Sequence, residues 1–318
     1  MNCIKYTENA VVVLLTKKFA KHTSSIKNMQ GLHTAIITPF NPDGSFDHKS
    51  FEKIINAQID GGVDGILVLG TTGESPTISV EEHDEIIKIA VEITAGRTKV
   101  IAGTGSNCTQ EAIDRSVHAE KVGADCLLHV SPYYNKPTQK GLYEHFQAVA
   151  NAVKLPIILY NIAGRCGVNI ETDTIIKLNK NYSNIIGVKE ASGNLNQIKE
   201  VIEKTPDDFL VFSGNDDQNL DIIKLGGHGA ISVLSNAIPA DMKRFIDLCL
   251  DHNWEGAQII HNKLTPLFQA CFIETNPQPI KTLMAHLGYC EEIFRLPMTQ
   301  MVEENKKELM RVWGEYKN

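Results

Sequence analysis

Short runs of apolar residues alternate with longer amphipathic segments along most of this 318-residue chain. The segments at 51–59 and 80–93 show the spacing of apolar positions that is typical of helices with one buried face. The apolar runs between such segments are nearly continuous, which is typical of strands buried on both faces of a parallel sheet. Predicted strands lie at residues 34–38, 65–69, 100–102, 125–130, 157–160, 185–188, 209–212 and 230–233.

Two architectures contain parallel strands that alternate with helices in this way. An open doubly wound sheet carries a glycine-rich nucleotide-binding turn after an early strand. Here Gly103-Thr104-Gly105 follows the third predicted strand, but Cys108 stands where the third glycine of that motif belongs. The regular count of eight strands therefore favours an α/β fold of the closed type, a (β/α)₈ TIM barrel.

The alternation stops after the eighth predicted strand. Residues 237–318 show helical patterns only, at 254–270, 278–287 and 300–313, with breaks at Asn276-Pro277 and Leu296-Pro297. We therefore divide the chain into an N-terminal tail at 1–28, a barrel at 29–236 and a C-terminal helical extension at 237–318. His83, near the start of the helical segment at 80–93, is predicted to lie on the helix surface.

The first 28 residues do not resemble a secretory signal. Their one apolar stretch, at 10–15, is short, and lysines flank it on both sides. We interpret this segment as a dispensable tail, or as the result of a start codon upstream of Met29.

Composition and charge narrow the class of function. A formal net charge of −7 argues against a nucleic-acid or anionic-membrane partner. No apolar run approaches the roughly 20 residues of a membrane span. The seven cysteines are scattered and contain no CxxC pair, which argues against a disulfide framework or a zinc site and fits a reducing cytoplasm.

Lys189, at the end of the sixth predicted strand, is the residue that most clearly suggests chemistry. A buried lysine is costly unless it is paired, and desolvation or a nearby positive charge lowers its pKa. The free amine can then attack a carbonyl carbon and form a Schiff base. Taken by itself, Lys189 is more consistent with an ion pair to Glu190 or with a side chain that reaches solvent than with a catalytic role.

Hydroxyl groups at other strand ends strengthen the catalytic interpretation. Schiff-base chemistry needs proton transfers, which Thr71, Tyr134 and Tyr160 could perform as a relay. Gly70 and Gly73 would let the backbone approach a ligand closely. Because the carboxyl ends of barrel strands build the active site, these residues are predicted to converge.

Arg165, in the loop after the fifth predicted strand, could hold a carboxylate through two hydrogen bonds or could lie on the surface. Metals and cofactors find little support in the sequence. No HxxxH pair or P-loop is present, and the segment Asn215-Asp216-Asp217 lacks the spacing of a calcium loop. A Schiff-base lysine could also hold pyridoxal phosphate, but the glycines at 226, 227 and 229 fit a tight turn into a strand better than a phosphate cradle.

The residues assembled above resemble the dihydrodipicolinate synthase/N-acetylneuraminate lyase family of class I aldolases. The resemblance runs in the same order from about Gly31 to Pro297. The segments that carry it are GTTGE at 70–74, SPYYNKP at 131–137, YN at 160–161, GVKEASGN at 187–194, SGND at 213–216 and ETNP at 274–277. Each segment is weak by itself, and the ordered set is specific.

The resemblance implies a role for each residue of the site. Lys189 would form the Schiff base with pyruvate, and Tyr160 would be the main proton donor and acceptor, linked to Thr71 and to a Tyr134 supplied across a dimer interface. Thr72 would bind the pyruvate carboxylate and Arg165 the carboxyl end of an aldehyde substrate, with Gly214 and Ile231 completing the substrate-binding set. The family is usually a homotetramer, a dimer of tight dimers, and it requires no cofactor.

The details favour the branch of the family that joins pyruvate to aspartate 4-semialdehyde in lysine biosynthesis. Sialic acid lyases typically have Ser-Thr where this chain has Thr71-Thr72, and they lack an arginine at the position of Arg165. Ala163 stands where the family often has proline, which removes a fixed φ from the Arg165 loop. A 2-keto-3-deoxy sugar acid aldolase therefore stays open as an alternative, as does an inactive barrel that senses a metabolite.

Members of this branch are often inhibited by lysine at a dimer-interface site. The residues that match the lining of that site are Ser75, His83, Asn107, Glu111 and Tyr133, while Val80 replaces a polar or aromatic residue. The resemblance therefore implies inhibition by lysine, weakened at Val80.

Overall fold

In the computed structural model, which describes residues 29–317, eight parallel strands close into a barrel in chain order. Each strand pairs with its sequence neighbours, and β1 closes the ring against β8. The TIM-barrel prediction is thus confirmed. The strands are β1 Gly31–Ala35, β2 Gly65–Val68, β3 Lys99–Gly103, β4 Cys126–Val130, β5 Ile157–Asn161, β6 Ile185–Glu190, β7 Leu210–Ser213 and β8 Gly229–Ser232.

Helices follow the strands and surround the barrel. They are α1 His48–Asp60, α2 Val80–Thr94, α3 Thr109–Val122, α4 Gln139–Ala152, the short α5 Ala163–Cys166, α6 Thr172–Asn181, α7 Leu195–Lys204, α8 Asn219–Lys224, α9 Pro239–Leu250, α10 Trp254–Ala270, α11 Gln278–His286 and α12 Glu303–Lys317. Short 3₁₀ segments lie at Ser75–Thr77, Asp216–Gln218 and Leu234–Asn236.

The strands are buried on both faces, as their apolar sequences predict. Inward-facing side chains fill the barrel as one apolar cluster that includes Leu67, Ile158, Tyr160, Phe212 and Ile231. Outward-facing side chains join the much larger core between strands and helices. Because side chains alternate along a strand, neighbouring residues belong to different layers.

The first strand is shifted relative to its prediction. β1 covers Gly31–Ala35 instead of 34–38, although the apolar run continues through buried Ile36 and Ile37. The amide of Ile37 leaves the strand ladder and donates to Asn236 Oδ1 at 3.1 Å. Hydrophobicity alone does not reveal this change of partner.

The helix α2 begins with a capping box. The Ser79 side chain accepts from the Glu82 amide, and the Glu82 carboxylate accepts from the Ser79 amide. The prediction for His83 within this helix is wrong. His83 is buried because it lies on the helix face that packs on the barrel, and its Nε2 bonds the Gly103 carbonyl oxygen at 3.0 Å.

The C-terminal helices lie where the sequence predicts them. Helix α9 packs against β1, and α10 contacts α12. Both predicted breaks are cis peptide bonds, Asn276-Pro277 and Leu296-Pro297. The tail at 1–28 lies outside the described residues. Within residues 29–317, no helix combines the length and the apolar character needed to cross a membrane.

Candidate active site

Lys189 lies in β6 directly opposite Tyr160 in β5, with 4% of its surface exposed. Its ammonium nitrogen is 4.5 Å from the centre of the Tyr160 ring. Burial lowers the pKa of Lys189 to about 8, with Arg165 contributing in the same direction and Asp216 opposing the shift. At neutral pH, roughly a tenth of the molecules would then carry the free amine that attacks carbonyl carbons.

Asp216 is the acidic group that acts on Lys189, and it was not assigned a role from the sequence. One of its carboxylate oxygens accepts the amides of Val233 and Leu234, at 3.0 and 2.8 Å. The carboxylate is therefore held by backbone donors and influences Lys189 through its charge. The sequence signal for Asp216 was the SGND segment, in which it is the last residue.

Tyr160 connects the lysine to the neighbouring hydroxyl group. Burial raises the pKa of Tyr160 to about 12, while the positive charge of Arg165 and a hydrogen bond with Thr71 act against the rise. The phenol therefore keeps its proton at neutral pH and can donate it. Tyr160, Thr71 and Arg165 line one cavity of about 510 Å³, and the Lys189 side chain lies next to the Tyr160 ring.

The GTTGE segment forms a tight turn after β2. The Gly73 amide donates to the Gly70 carbonyl oxygen at 3.1 Å, and Thr38 Oγ1 donates to the Gly73 carbonyl oxygen at 2.7 Å. A side chain at position 73 would crowd the Leu69 backbone at 3.1 Å, which explains the glycine there. The turn orients Thr71 toward the cavity and Thr72 toward the C-terminal helices.

Thr72 contacts a residue that sequence reasoning left without a role. Buried Asn276, in the ETNP segment, donates from Nδ2 to Thr72 Oγ1 at 3.0 Å. The Asn276 carbonyl oxygen lies 3.4 Å from an Arg165 guanidinium nitrogen. The segment after α10 thus contacts two of the predicted substrate-binding residues.

The remaining predicted residues divide into two groups. Gly214 and Ile231 lie beside the lysine: a Cβ at position 214 would stand 2.9 Å from Lys189 Cε, and Ile231 belongs to the inner cluster with Tyr160. Tyr134, in contrast, is 88% exposed with a φ of 69° and does not join the site within its own chain.

The residues predicted for inhibitor binding lie along α2, α3 and the neighbouring loops. Ser75 and Tyr133 line the same 510 Å³ cavity. Glu111 accepts from Ser106 Oγ at 2.8 Å, and the Asn107 carbonyl oxygen accepts from Asn135 at 2.9 Å. Buried His83 is in contact with the Gly103 backbone instead.

Fold and site together define a class of protein, a (β/α)₈ barrel with a buried lysine amine beside tyrosine and threonine hydroxyl groups. The model of the dihydrodipicolinate synthetase family matches residues 28–315. The chain therefore belongs to this family.

Individual relatives are similar over nearly their whole length. The 4-hydroxy-tetrahydrodipicolinate synthase of Methanocaldococcus jannaschii is 50% identical over 284 residues, which cover 89% of this chain and 97% of the relative. The crystal structure of dihydrodipicolinate synthase from Aquifex aeolicus matches with a TM-score of 0.90 and 47% identity, over 91% of this chain and 98% of the other. The enzyme from Cyanidioschyzon merolae with lysine bound matches with a TM-score of 0.89 and 39% identity, over 91% and 99%.

Proposed function

We propose that this protein is a pyruvate-dependent lyase that condenses pyruvate with L-aspartate 4-semialdehyde and gives 4-hydroxy-tetrahydrodipicolinate. The observation that carries the proposal is the Lys189 amine, which is buried, has a lowered pKa and lies 4.5 Å from the Tyr160 ring centre. Relatives of 50% identity that carry this enzyme's name support the choice of substrates.

The first half of the reaction uses Lys189 and its hydroxyl neighbours. The free amine attacks the keto carbon of pyruvate, the carbinolamine oxygen takes a proton and leaves as water, and an imine remains. Tyr160 donates that proton, and its hydrogen bond with Thr71 provides a path for returning it. The Tyr160 phenolate left by that donation takes a methyl proton from the protonated imine and gives the enamine, whose carbon attacks the aldehyde carbon while the aldehyde oxygen takes the proton back. The amino group of the condensed product then attacks the imine carbon and displaces Lys189 as the free amine.

The substrate carboxylates have separate partners. Thr72 Oγ1 accepts a hydrogen bond from Asn276, so its own proton is free to be donated to the pyruvate carboxylate. Arg165 lines the cavity beside Tyr160 and would hold the carboxyl end of the aldehyde. Gly214 leaves space at the lysine, and Ile231 belongs to the inner apolar cluster that contains Tyr160.

Tyr134 implies a second subunit. Its side chain is almost fully exposed and is not among the residues that line the cavity of its own barrel, and a partner's Tyr134 would complete the relay in a dimer. We propose a homotetramer built from two such dimers, located in the cytoplasm. Analytical ultracentrifugation of wild type and Tyr134→Phe tests this: both should sediment alike, and only the variant should lose activity.

Lysine binding near Ser75, Glu111 and Tyr133 is proposed by the same reasoning, supported by the relative that was solved with lysine bound. The exposed Val80 offers no polar contact to a ligand ammonium group. Inhibition should therefore be present and weak, and full activity at millimolar lysine would contradict this proposal.

A substrate comparison tests the proposed function. A coupled assay should show turnover of pyruvate with aspartate 4-semialdehyde and none with sugar-derived aldehydes. Arg165→Met should lower kcat/KM for the semialdehyde by about 10- to 100-fold, because a charge-assisted contact is lost, while the exposed Arg244→Met control should not change it. Turnover with sugar-derived aldehydes only would contradict the assignment.

A further inference from the structure

A second pair of polar residues directly follows the Tyr160–Lys189 pair along β5 and β6. In the pairing of β5 with β6, Tyr160 is opposite Lys189, and the next residues, Asn161 and Glu190, are opposite each other. Because side chains alternate along strands, the first pair faces the barrel interior and the second faces the surrounding helices. Both Asn161 and Glu190 are completely buried.

Asn161 and Glu190 are hydrogen-bonded to each other, and their other hydrogen-bond partners are neutral groups. Asn161 Nδ2 donates to Glu190 Oε1 at 3.1 Å and to Asn169 Oδ1 at 2.8 Å. Asn161 Oδ1 accepts from the Ile170 amide at 3.0 Å, so both ends of the side-chain amide are used. Ser192 Oγ donates to Glu190 Oε2 at 2.8 Å.

Burial of the Glu190 carboxyl is costly, and the reaction as described does not use it. Desolvation raises the pKa of Glu190 to about 7, and the hydrogen bonds from Asn161 and Ser192 oppose that rise. A carboxyl group in an apolar layer that serves packing alone is usually replaceable by a hydrophobic residue. Its placement one residue after Lys189 points to another purpose.

The strand pairing itself shows why such a contact is needed. The β5–β6 register shifts between Ile157 and Ile158, so the ladder contains an irregularity before it reaches Tyr160. The ladder is locally disrupted at such a shift, and a one-residue slip would turn Lys189 to the other face. The Asn161–Glu190 bond restores a fixed pairing directly after the two reacting side chains.

We infer that Asn161 and Glu190, with Ser192, are positioning residues that hold the Lys189 amine against Tyr160 by fixing the β5–β6 register behind them. This inference rests on the proposed function, since it explains how a reacting lysine is held in position. The end of β7 also contacts Glu190, because the Gly214 amide donates to the Glu190 carbonyl oxygen at 2.7 Å.

The test compares this pair with a similar buried pair elsewhere on the barrel. Thr34 Oγ1 in β1 donates to Gln58 Oε1 at 2.7 Å, and this fully buried pair also lies between the strand and the surrounding helices. No register shift interrupts the β1 pairings. Thr34→Val is therefore a matched control for the loss of one outward polar contact.

Glu190→Leu removes the acceptor of Asn161 and Ser192 and should slow pyruvate-dependent adduct formation on Lys189, trapped with borohydride, and lower kcat by about 10- to 100-fold. The KM for pyruvate should change much less, because the carboxylate contacts are untouched. Thr34→Val should reduce thermal stability but leave both rates within about twofold. Equal slowing by Thr34→Val, or wild-type rates in Glu190→Leu, would overturn the inference.

A milder pair of variants tests the inference if Glu190→Leu does not fold. Ser192→Ala removes one donor to Glu190 and should slow the adduct by about fivefold, while Ser192→Thr keeps the hydroxyl and should restore the rate. An unchanged rate in Ser192→Ala would contradict the inference. If the wild-type protein forms no adduct on Lys189, the proposed function fails. If the wild-type protein forms the adduct and the variants form it at the same rate, this inference alone fails.

Discussion

Within residues 29–317, two lysines are buried, and their surroundings differ. Lys281, in α11, is fully buried and pairs with Glu74 of the GTTGE turn at 2.5 Å, with the Phe40 ring 4.1 Å from its nitrogen. Lys189 is buried almost as deeply but faces the Tyr160 ring, while Asp216 is held by backbone amides. Burial lowers the pKa of both lysines.

The difference teaches which lysine is chemically available. A carboxylate at hydrogen-bond distance opposes the lowering of the Lys281 pKa and ties the C-terminal helices to the turn that holds Thr71 and Thr72. Lys189 has only remote compensation for its charge, so its free amine is accessible near neutral pH. Depth of burial is therefore a poor guide to the reactivity of a lysine, which depends on whether a carboxylate lies at hydrogen-bond distance from its amine.

Replacing Lys189 should have the largest effect. Lys189→Arg keeps a positive charge but cannot form an imine, so kcat should fall by on the order of 10⁴-fold or more. Steady-state assays with circular dichroism as the folding control measure this. A folded variant with a tenth of wild-type activity would contradict the role of Lys189.

Breaking the other lysine's ion pair should affect stability. Lys281→Met leaves the Glu74 carboxylate buried without its partner and should lower the free energy of unfolding by about 3–5 kcal/mol. The double variant Lys281→Met/Glu74→Gln removes the stranded charge and should recover most of that loss. Denaturant titration checks both, and a double variant as unstable as the single one would argue against the ion-pair account.

Removing the Tyr160 hydroxyl group should have an intermediate effect on catalysis. Tyr160→Phe keeps the ring beside Lys189 but removes the proton donor, so kcat should fall by about 10²- to 10³-fold. The KM for pyruvate should change little. Tyr182→Phe, on the outer layer beside Tyr143, is the control, and an equal loss there would contradict a specific role for Tyr160.

The smallest expected effect is the pH dependence of adduct formation on Lys189. Because the pKa of Lys189 is lowered to about 8, the free amine increases with pH. The initial rate of adduct formation should therefore rise by about tenfold from pH 6 to pH 7 and level off above about pH 8. A flat profile across this range would show that deprotonation of Lys189 does not limit the reaction.

Much of the barrel could be predicted because its information is local. Apolar runs gave eight strands, and strand ends placed Lys189, Tyr160 and Thr71 at one rim. The contacts that complete the site are not local: Asn276 reaches Thr72 across 204 positions, and Lys281 reaches Glu74 across 207. No periodicity encodes such pairings, which depend on how the C-terminal helices pack.

The buried position of His83 was missed for a related reason. A helical pattern indicates which residues share a face, but the packing of α2 on the barrel decides how far that face extends. The exposure of Tyr134 likewise depends on its loop backbone, with φ at 69°, which no pattern of apolar residues specifies.

Mapping the pyruvate adduct tests the central claim most directly. The protein is incubated with pyruvate, reduced with borohydride, digested and examined by mass spectrometry. The account predicts a pyruvate-dependent adduct on Lys189 and an unmodified Lys281. An adduct on other lysines with Lys189 untouched, or no pyruvate-dependent adduct at all, would contradict it.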